Sequence, residues 1–398
     1  VTTNLFLDSL LEEELTILKR QGLYRELRCV YSAQGPTVDI DGKEVILFSS
    51  NNYLGLSTHP EIIKAQKDAL ERFGAGACAS RLISGNIHLY EELEKTLADF
   101  KHTESSLVFP TGYMANIGTI SAMVGDGDLV ICDKLNHASI IDGCRLSGAR
   151  LRVYPHKDLE RLKQLLKKEL SFKKRLIITD GVFSMDGDIA PLPDIVEIAK
   201  SFGAFVMVDD AHATGVLGEN GRGTCEYFGI KDGIDIQMGT FSKAFGCLGG
   251  YIAGSKALID YIRNKARSFI YTTALPPSII AGCIKAIEIV KKDETLRKNL
   301  WKNVERFKTS INAIGLDTMA TETQIIPIFT GDINSTIKAS QLLFESGIYV
   351  PGIRPPTVPK NKCRLRVSIM ATHSDIHIDK AIEVFKRLKD EGVFCNRN

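Results

Sequence analysis

The chain is predicted to be an α/β protein built on a mainly parallel sheet, and two patterns predict it. Apolar runs at Leu129-Val130-Ile131-Cys132, Leu176-Ile177-Ile178-Thr179, Phe205-Val206-Met207-Val208 and Ile234-Asp235-Ile236-Gln237-Met238 are mostly continuous rather than alternating, and helical patterns separate several of them. Strands that are apolar on both faces belong inside a sheet covered by helices on both sides. The third observation concerns function. The ends of these runs carry Asp133 with His137, Asp180 with Ser184, Asp209 with His212, and Thr240 with Lys243. Open parallel sheets bind their ligands outside the carboxyl ends of the strands, so these polar groups are expected to share one crevice.

The elements are expected as follows. Leu7, Leu10, Leu11, Leu15 and Leu18 at helical spacing make an amphipathic helix over 6–20, leading to Gly22-Leu23-Tyr24-Arg25. Thr37 to Phe48, with Asp41-Gly42 at its middle, reads as a hairpin. Ser49 to Gly55 is too polar for a strand and reads as an irregular turn, and a helix covers Pro60 to Phe73. The stretch Gly74 to Gly85 is poor in large side chains, and reads either as a flexible loop or as backbone passing close to a ligand or a second subunit. A helix over 88–101 precedes a short strand, Ser106 to Phe109, which runs through Pro110-Thr111-Gly112-Tyr113 into another helix. Strand, Thr-Gly turn and helix form a suitable phosphate site, because a helix N-terminus offers free N–H groups and a favourable dipole.

After Lys265 the pattern changes. Tyr271 to Pro277 reads as a polar turn, followed by a long helical region over 278–312. The remainder, with strands near 324–330, 347–350 and 363–369 and helices near 335–346 and 375–390, reads as a smaller α+β unit. The expected divisions are an N-terminal helix and hairpin segment (1–50), a large α/β domain (51–290) and a small C-terminal domain (291–398).

With 398 residues and 44% hydrophobic residues, the chain can bury a large core. Lys and Arg total 50 against 48 Asp and Glu, a formal charge of +2 that favours neither a nucleic-acid nor an anionic-membrane partner. The nine cysteines show no C-x-x-C spacing and no Cys/His cluster, so neither a disulfide framework nor a metal site is expected. No apolar stretch reaches the roughly 18 residues that span a bilayer, and no signal-peptide pattern opens the chain. These features together predict a cytoplasmic protein.

The most informative stretch is Thr240 to Gly250, a lysine just past a strand followed by a glycine-dense run, beside Val206-Met207-Val208-Asp209-Asp210-Ala211-His212. A lone Ser-Lys pair is usually a solvated surface feature. His137 and His212, each taken alone, read as satisfied core histidines, and Asp186 and Asp188 as residues that hold a turn. Together, however, a lysine amine, a strand-end aspartate, a histidine and small hydroxyls near a helix N-terminus are the set a pyridoxal phosphate site needs. The amine must be neutral to attack an aldehyde, an acid beside the ring nitrogen keeps it protonated, and the cationic ring is the electron sink. A Ser/His/Asp hydrolase through Ser184 and His212 lacks the G-x-S-x-G elbow, and no G-x-G-x-x-G follows the first strand.

Asn51-Asn52-Tyr53-Leu54-Gly55-Leu56, Asn136-His137-Ala138-Ser139, Asp180 to Gly187, Asp209-Asp210-Ala211-His212, Gly221-Arg222-Gly223 and Thr240 to Lys243 together resemble the α-oxoamine synthases, over about residues 20–385. The resemblance implies the aspartate-aminotransferase fold (type I), pyridoxal 5'-phosphate as cofactor, acyltransferase activity and a homodimer with its active site at the subunit interface. It implies that Lys243 forms the Schiff base and moves the Cα proton, that Asp209 pairs with the pyridine nitrogen, that His137 stacks on the ring, and that His212 and Ser184 bond the ring hydroxyl. Gly112, Tyr113 and Thr240 would hold the phosphate, with Thr272 or Thr273 reaching in from the partner subunit. Arg366 would fork the amino-acid carboxylate, and Asn51 and His137 join it as substrate-binding residues. Asp180 departs from the Glu that members often carry there.

The likeness is nearest to members that condense L-alanine with a pimeloyl thioester, on CoA or acyl carrier protein, in biotin biosynthesis. Members that join glycine to acetyl-CoA are the alternative, towards which Ile140-Ile141-Asp142-Gly143 leans. Thr111 to Asn116 and Gly352-Ile353-Arg354-Pro355-Pro356-Thr357-Val358-Pro359 lean towards the first. Paired prolines stiffen the loop presenting Arg354, and a dicarboxylic acyl chain has a use for an arginine that an acetyl group lacks. Arg354, Thr357 and Arg25 are therefore the expected acyl-chain contacts.

Overall fold

The computed structural model describes residues 5–394. A helix, Leu5–Arg20, precedes the hairpin of β1 (Thr37–Ile40) and β2 (Lys43–Leu47). Asp41 and Gly42 turn it with φ of 54° and 80°. That left-handed pair matches the twist of the flanking strands, as the Asp-Gly sequence led us to expect.

Seven strands then make the main sheet: β3 (Ser105–Phe109), β4 (Leu129–Asp133), β5 (Arg150–Tyr154), β6 (Arg175–Asp180), β7 (Phe205–Asp209), β8 (Ile236–Thr240) and β9 (Gly250–Gly254). Their order is β3-β9-β8-β7-β6-β4-β5. Strands β4 to β8 are mutually parallel, while β9 runs antiparallel between β8 and β3. Successive residues bury on opposite faces. Val130, Cys132, Ile178 and Met207 pack with Ile120, Ile140 and Ile259 of one helical layer. Ile131, Ile177, Val206 and Val208 pack with Leu162 and Ile195 of the other. The continuous apolar runs thus have the physical cause inferred for them.

Two strands of this sheet lie outside the sequence reading. β5 is an edge strand whose arginines interrupt the apolar run. β9 begins inside the glycine-dense stretch, and its small residues are needed there: a Cβ on Gly250 would stand 2.5 Å from the Cα of Gly112, so strand and helix start meet backbone to backbone. The helical region expected over 278–312 is two helices, Pro277–Lys292 and Thr295–Ala313. They part at Asp293, whose Oδ1 accepts from the Thr295 N–H at 2.9 Å.

The C-terminal part contributes β10 (Ile325–Gly331), β11 (Ile348–Tyr349), β12 (Gly352–Ile353) and β13 (Cys363–Ser368), with β13 central in β10-β13-β12. β11 instead joins β2 in parallel, so the N-terminal hairpin and the C-terminal region share one sheet. Ser368 N–H donates to the Phe48 carbonyl at 2.8 Å and Ala371 N–H to that of Tyr53 at 2.7 Å. These bonds bring the turn at Asn51 to the end of β13.

The eight cysteines among the described residues are free thiols; Cys395 lies outside the described residues. Among the described residues no helix is long and apolar enough to cross a membrane.

Candidate active site

The carboxyl ends of the parallel strands open into a cavity of about 240 Å³. Of the residues singled out in the sequence, Gly112, Tyr113, His137, Asp209, His212, Thr240 and Lys243 all line it, joined by Thr111, Asn116, Ser139, Asp180 and Ser242.

Lys243 follows β8 and lies half-buried. Desolvation of its ammonium outweighs the attraction of Asp209, and with Arg366 adding positive charge the pKa falls to about 8. Asp209 is 5% exposed at the end of β7. Its Oδ2 accepts from Asn116 Nδ2 at 2.7 Å and its Oδ1 from the Ala211 N–H at 2.9 Å. Asp180 is its register partner on β6. Burial, then the Asp209 charge, raises the Asp180 pKa well above the carboxylate range.

On the other wall, His137 caps the helix Ala138–Ser147 and contacts Ser139 Oγ through Nδ1 at 2.7 Å. His212 is buried, and desolvation followed by the charges of Lys243 and Arg366 drives its pKa well down, so its ring is neutral. The Tyr53 hydroxyl donates to Asn51 Oδ1 at 3.0 Å and lies 2.7 Å from His212 Nδ1. With the tyrosine proton used on Asn51, His212 donates from Nδ1, and its Nε2 remains an acceptor.

At the phosphate-sized end, Thr111 Oγ1 caps the helix Gly112–Met123 by accepting from the Met114 N–H at 3.2 Å. The N–H groups of Gly112 and Tyr113 belong to the first turn, which has no helical acceptors. The Thr240 and Ser242 hydroxyls meet at 2.7 Å beside them. Hydroxyls and helix N–H groups thus form an anion cradle.

Arg366, on β13, is 6% exposed. Its Nε donates to the Ser184 carbonyl at 2.6 Å, and both terminal nitrogens reach Asn51 Oδ1 at 3.2 Å. Arg366, Asn51 and Ser184 all lie outside the lining of the cavity, and Ser184 meets Arg366 through that carbonyl. Thr272 donates to Met114 Sδ at 3.9 Å and Thr273 bridges to Ser80; neither lines the cavity of its own chain. Arg25 and Thr357 are exposed. Arg354 donates to the Tyr24 carbonyl at 2.9 Å and lines a second cavity with Tyr24, Glu26 and Arg28. The fold therefore joins the Arg25 and Arg354 segments to each other, away from the lining around Lys243. Asp186 pairs with Arg364 at 2.7 Å, and Asp188 pairs with His156 and Lys157.

The sequence assigns no role to Asn116, Tyr53 or Ser242. Asn116 was legible in principle, since it lies four residues beyond Gly112 and so shares the face of the helix that meets the cavity. Tyr53 acts through a contact 159 residues away, which spacing does not reveal.

A half-buried lysine of depressed pKa facing an anchored aspartate, with an anion cradle and a buried arginine, defines an enzyme that handles carbonyl and amino-acid chemistry. The chain belongs to the aminotransferase class I and II family, whose model matches residues 43–385. It is 52% identical over 378 residues to 8-amino-7-oxononanoate synthase of Citrifermentans bemidjiense, covering 94% of this chain and 97% of that one. Among solved structures it is similar to a serine palmitoyltransferase from S. paucimobilis with a bound PLP–myriocin aldimine (TM-score 0.93, 35% identity, 98% and 100% covered). It is also similar to 8-amino-7-oxononanoate synthase from Francisella tularensis (TM-score 0.76, 30% identity, 87% and 98% covered). The resemblance and fold read from the motifs are borne out.

Proposed function

We propose that the chain is a pyridoxal-phosphate-dependent acyltransferase that condenses L-alanine with a pimeloyl thioester, giving 8-amino-7-oxononanoate, CO₂ and the free thiol, in biotin biosynthesis. The observation that carries the chemistry is Lys243 with its pKa lowered to about 8, in one cavity with Asp209. The choice of substrates is supported by 52% identity to a synthase of that name over nearly its whole length.

The residues fit the cofactor. Gly112 and Gly250 meet backbone to backbone at the helix start, so neither places a side chain in the way of an approaching phosphate. Gly112, Tyr113, Thr240 and Ser242 would hold that phosphate, and Thr272 or Thr273 of a second subunit would complete the cradle in a homodimer. When bound, the cofactor supplies an aldehyde and a ring that accepts electrons from the substrate Cα.

The chain's own residues do the rest. Lys243 offers a neutral amine at moderate pH and afterwards takes the proton from Cα. Asp209, held through both oxygens, would present its carboxylate to a ring N–H. His137 would cover the ring face, and His212 Nε2, with Ser184, would hold the ring hydroxyl. Arg366 orients the substrate carboxylate with Asn51, and a bidentate hold sets the angle of the bond that breaks on loss of CO₂. Arg25, Arg354 and Thr357 would meet the far end of the acyl chain. Free thiols throughout the described residues suit a reducing cytoplasm.

A coupling assay decides the substrates. The holoenzyme is offered L-alanine, glycine or L-serine against pimeloyl-CoA, acetyl-CoA or palmitoyl-CoA, and product is read by mass spectrometry. Product from alanine and pimeloyl-CoA is expected; product confined to glycine and acetyl-CoA, or to serine and palmitoyl-CoA, overturns the choice.

A further inference from the structure

Behind the wall that holds Arg366 lies a cluster the mechanism does not use. The imidazole of His156 sits between two carboxylates, Nδ1 at 3.0 Å from Asp133 Oδ1 and Nε2 at 2.8 Å from Asp188 Oδ2. Ionised carboxylates only accept, so each contact is a hydrogen bond only if the nitrogen carries a proton, which makes the ring an imidazolium. Asp133 and Asp188 are buried, and the imidazole is a quarter exposed. The other charges facing this ring are Lys157, 3.0 Å from Asp188, and Glu322, 3.7 Å from Lys157. The ring also meets Phe183 edge-on at 4.4 Å. Burial alone would lower the His156 pKa, but the two carboxylates more than offset it and raise it to about 9.

The two acids belong to different parts of the chain. Asp133 ends β4, whereas Asp188 closes the turn 183–188, in which Phe183 N–H donates to the Asp188 carbonyl at 3.0 Å and Gly187 N–H to that of Phe183 at 2.9 Å. The outer side of this turn carries the Ser184 carbonyl that receives Arg366 Nε, and the Met185 carbonyl that receives Arg364 at 3.2 Å. The turn therefore stands between the sheet and the arginines of β13.

We propose that His156 is a positioning residue for the amino-acid subsite: its imidazolium ties the 183–188 turn to the end of β4, so that the Ser184 carbonyl holds Arg366 at the angle that binds a substrate carboxylate. The inference rests on the reading of Arg366 as that carboxylate's partner.

The test uses full-length holoenzyme carrying His156→Gln, which keeps a donor but no charge, and separately Asp188→Asn. The KM for L-alanine is expected to rise about ten- to a hundredfold in both, as for a displaced binding group. The KM for pimeloyl-CoA stays within about twofold. Equal changes in both constants, or none in the alanine constant, overturn the proposal. A second readout needs neither cofactor nor turnover. NMR of ring-labelled apoprotein should show His156 as imidazolium at pH 7, titrating only near 9, and a neutral ring at pH 7 overturns the clamp even if a variant fails to fold. Absence of any condensation by the unmutated protein condemns the functional reading instead, and the NMR result stands apart from it.

Discussion

Asn116 Nδ2 donates to Asp209 Oδ2 at 2.7 Å, tying the second turn of a helix to the end of a strand 93 residues further on. With the Ala211 N–H on Oδ1, the carboxylate is fixed in place before any ligand arrives. Asp209→Asn should lower kcat/KM at least about a hundredfold, the scale of losing a preorganised charge at the reacting centre. Asn116→Ala, which frees the carboxylate but keeps its charge, should cost only about tenfold, comparable to one hydrogen bond to a charged group. Steady-state kinetics of the two variants measure both, and equal losses would sink the distinction.

The depressed pKa of Lys243 gives a signed pH dependence. Only the neutral amine captures the aldehyde, so uptake of pyridoxal phosphate by apoprotein, followed by absorbance, should quicken as pH rises through about 8. The folded value lies below the ordinary 10.5, so the unfolded chain binds this proton more tightly. This group therefore contributes a rise in apoprotein stability between about pH 8 and 10.5, and Lys243→Ala should abolish both that rise and turnover. Thermal melts across this range check the sign.

Arg366→Lys keeps the charge but loses the fork. Nε and both terminal nitrogens are engaged by Ser184 and Asn51, and one ammonium cannot reproduce that geometry. The KM for L-alanine should rise about ten- to a hundredfold, equivalent to about 1.5–3 kcal/mol, with the thioester constant little changed. A variant with an unaltered alanine constant would remove Arg366 from the subsite.

Arg354 tests the acyl end. Arg354→Ala should raise the KM for pimeloyl-CoA about tenfold, as for one lost charge-assisted hydrogen bond, and leave that for alanine unchanged. An unchanged thioester constant would instead leave Arg354 as the residue that pins the Tyr24 carbonyl.

Four strand ends and the polar residues just beyond them were readable in the chain because a parallel sheet buried on both faces leaves a periodic signature, and because its polar groups collect at one edge. Lys243, Asp209, His137 and His212 were found that way, and Asp41-Gly42 marked its hairpin by the backbone geometry those residues accept. β5 escaped because an edge strand exposes its arginines, and β9 because glycines needed for contact with Gly112 hide a strand. Fold class and the chemistry at the strand ends are legible in the chain alone, since both follow from local composition and order. Tertiary structure alone decided which distant groups tune that chemistry: Asn116 on Asp209, Tyr53 on His212, and the Ser184 turn on Arg366. Hydrogen bonds between elements far apart in the chain have no periodicity to read, and they exist only once the layers pack.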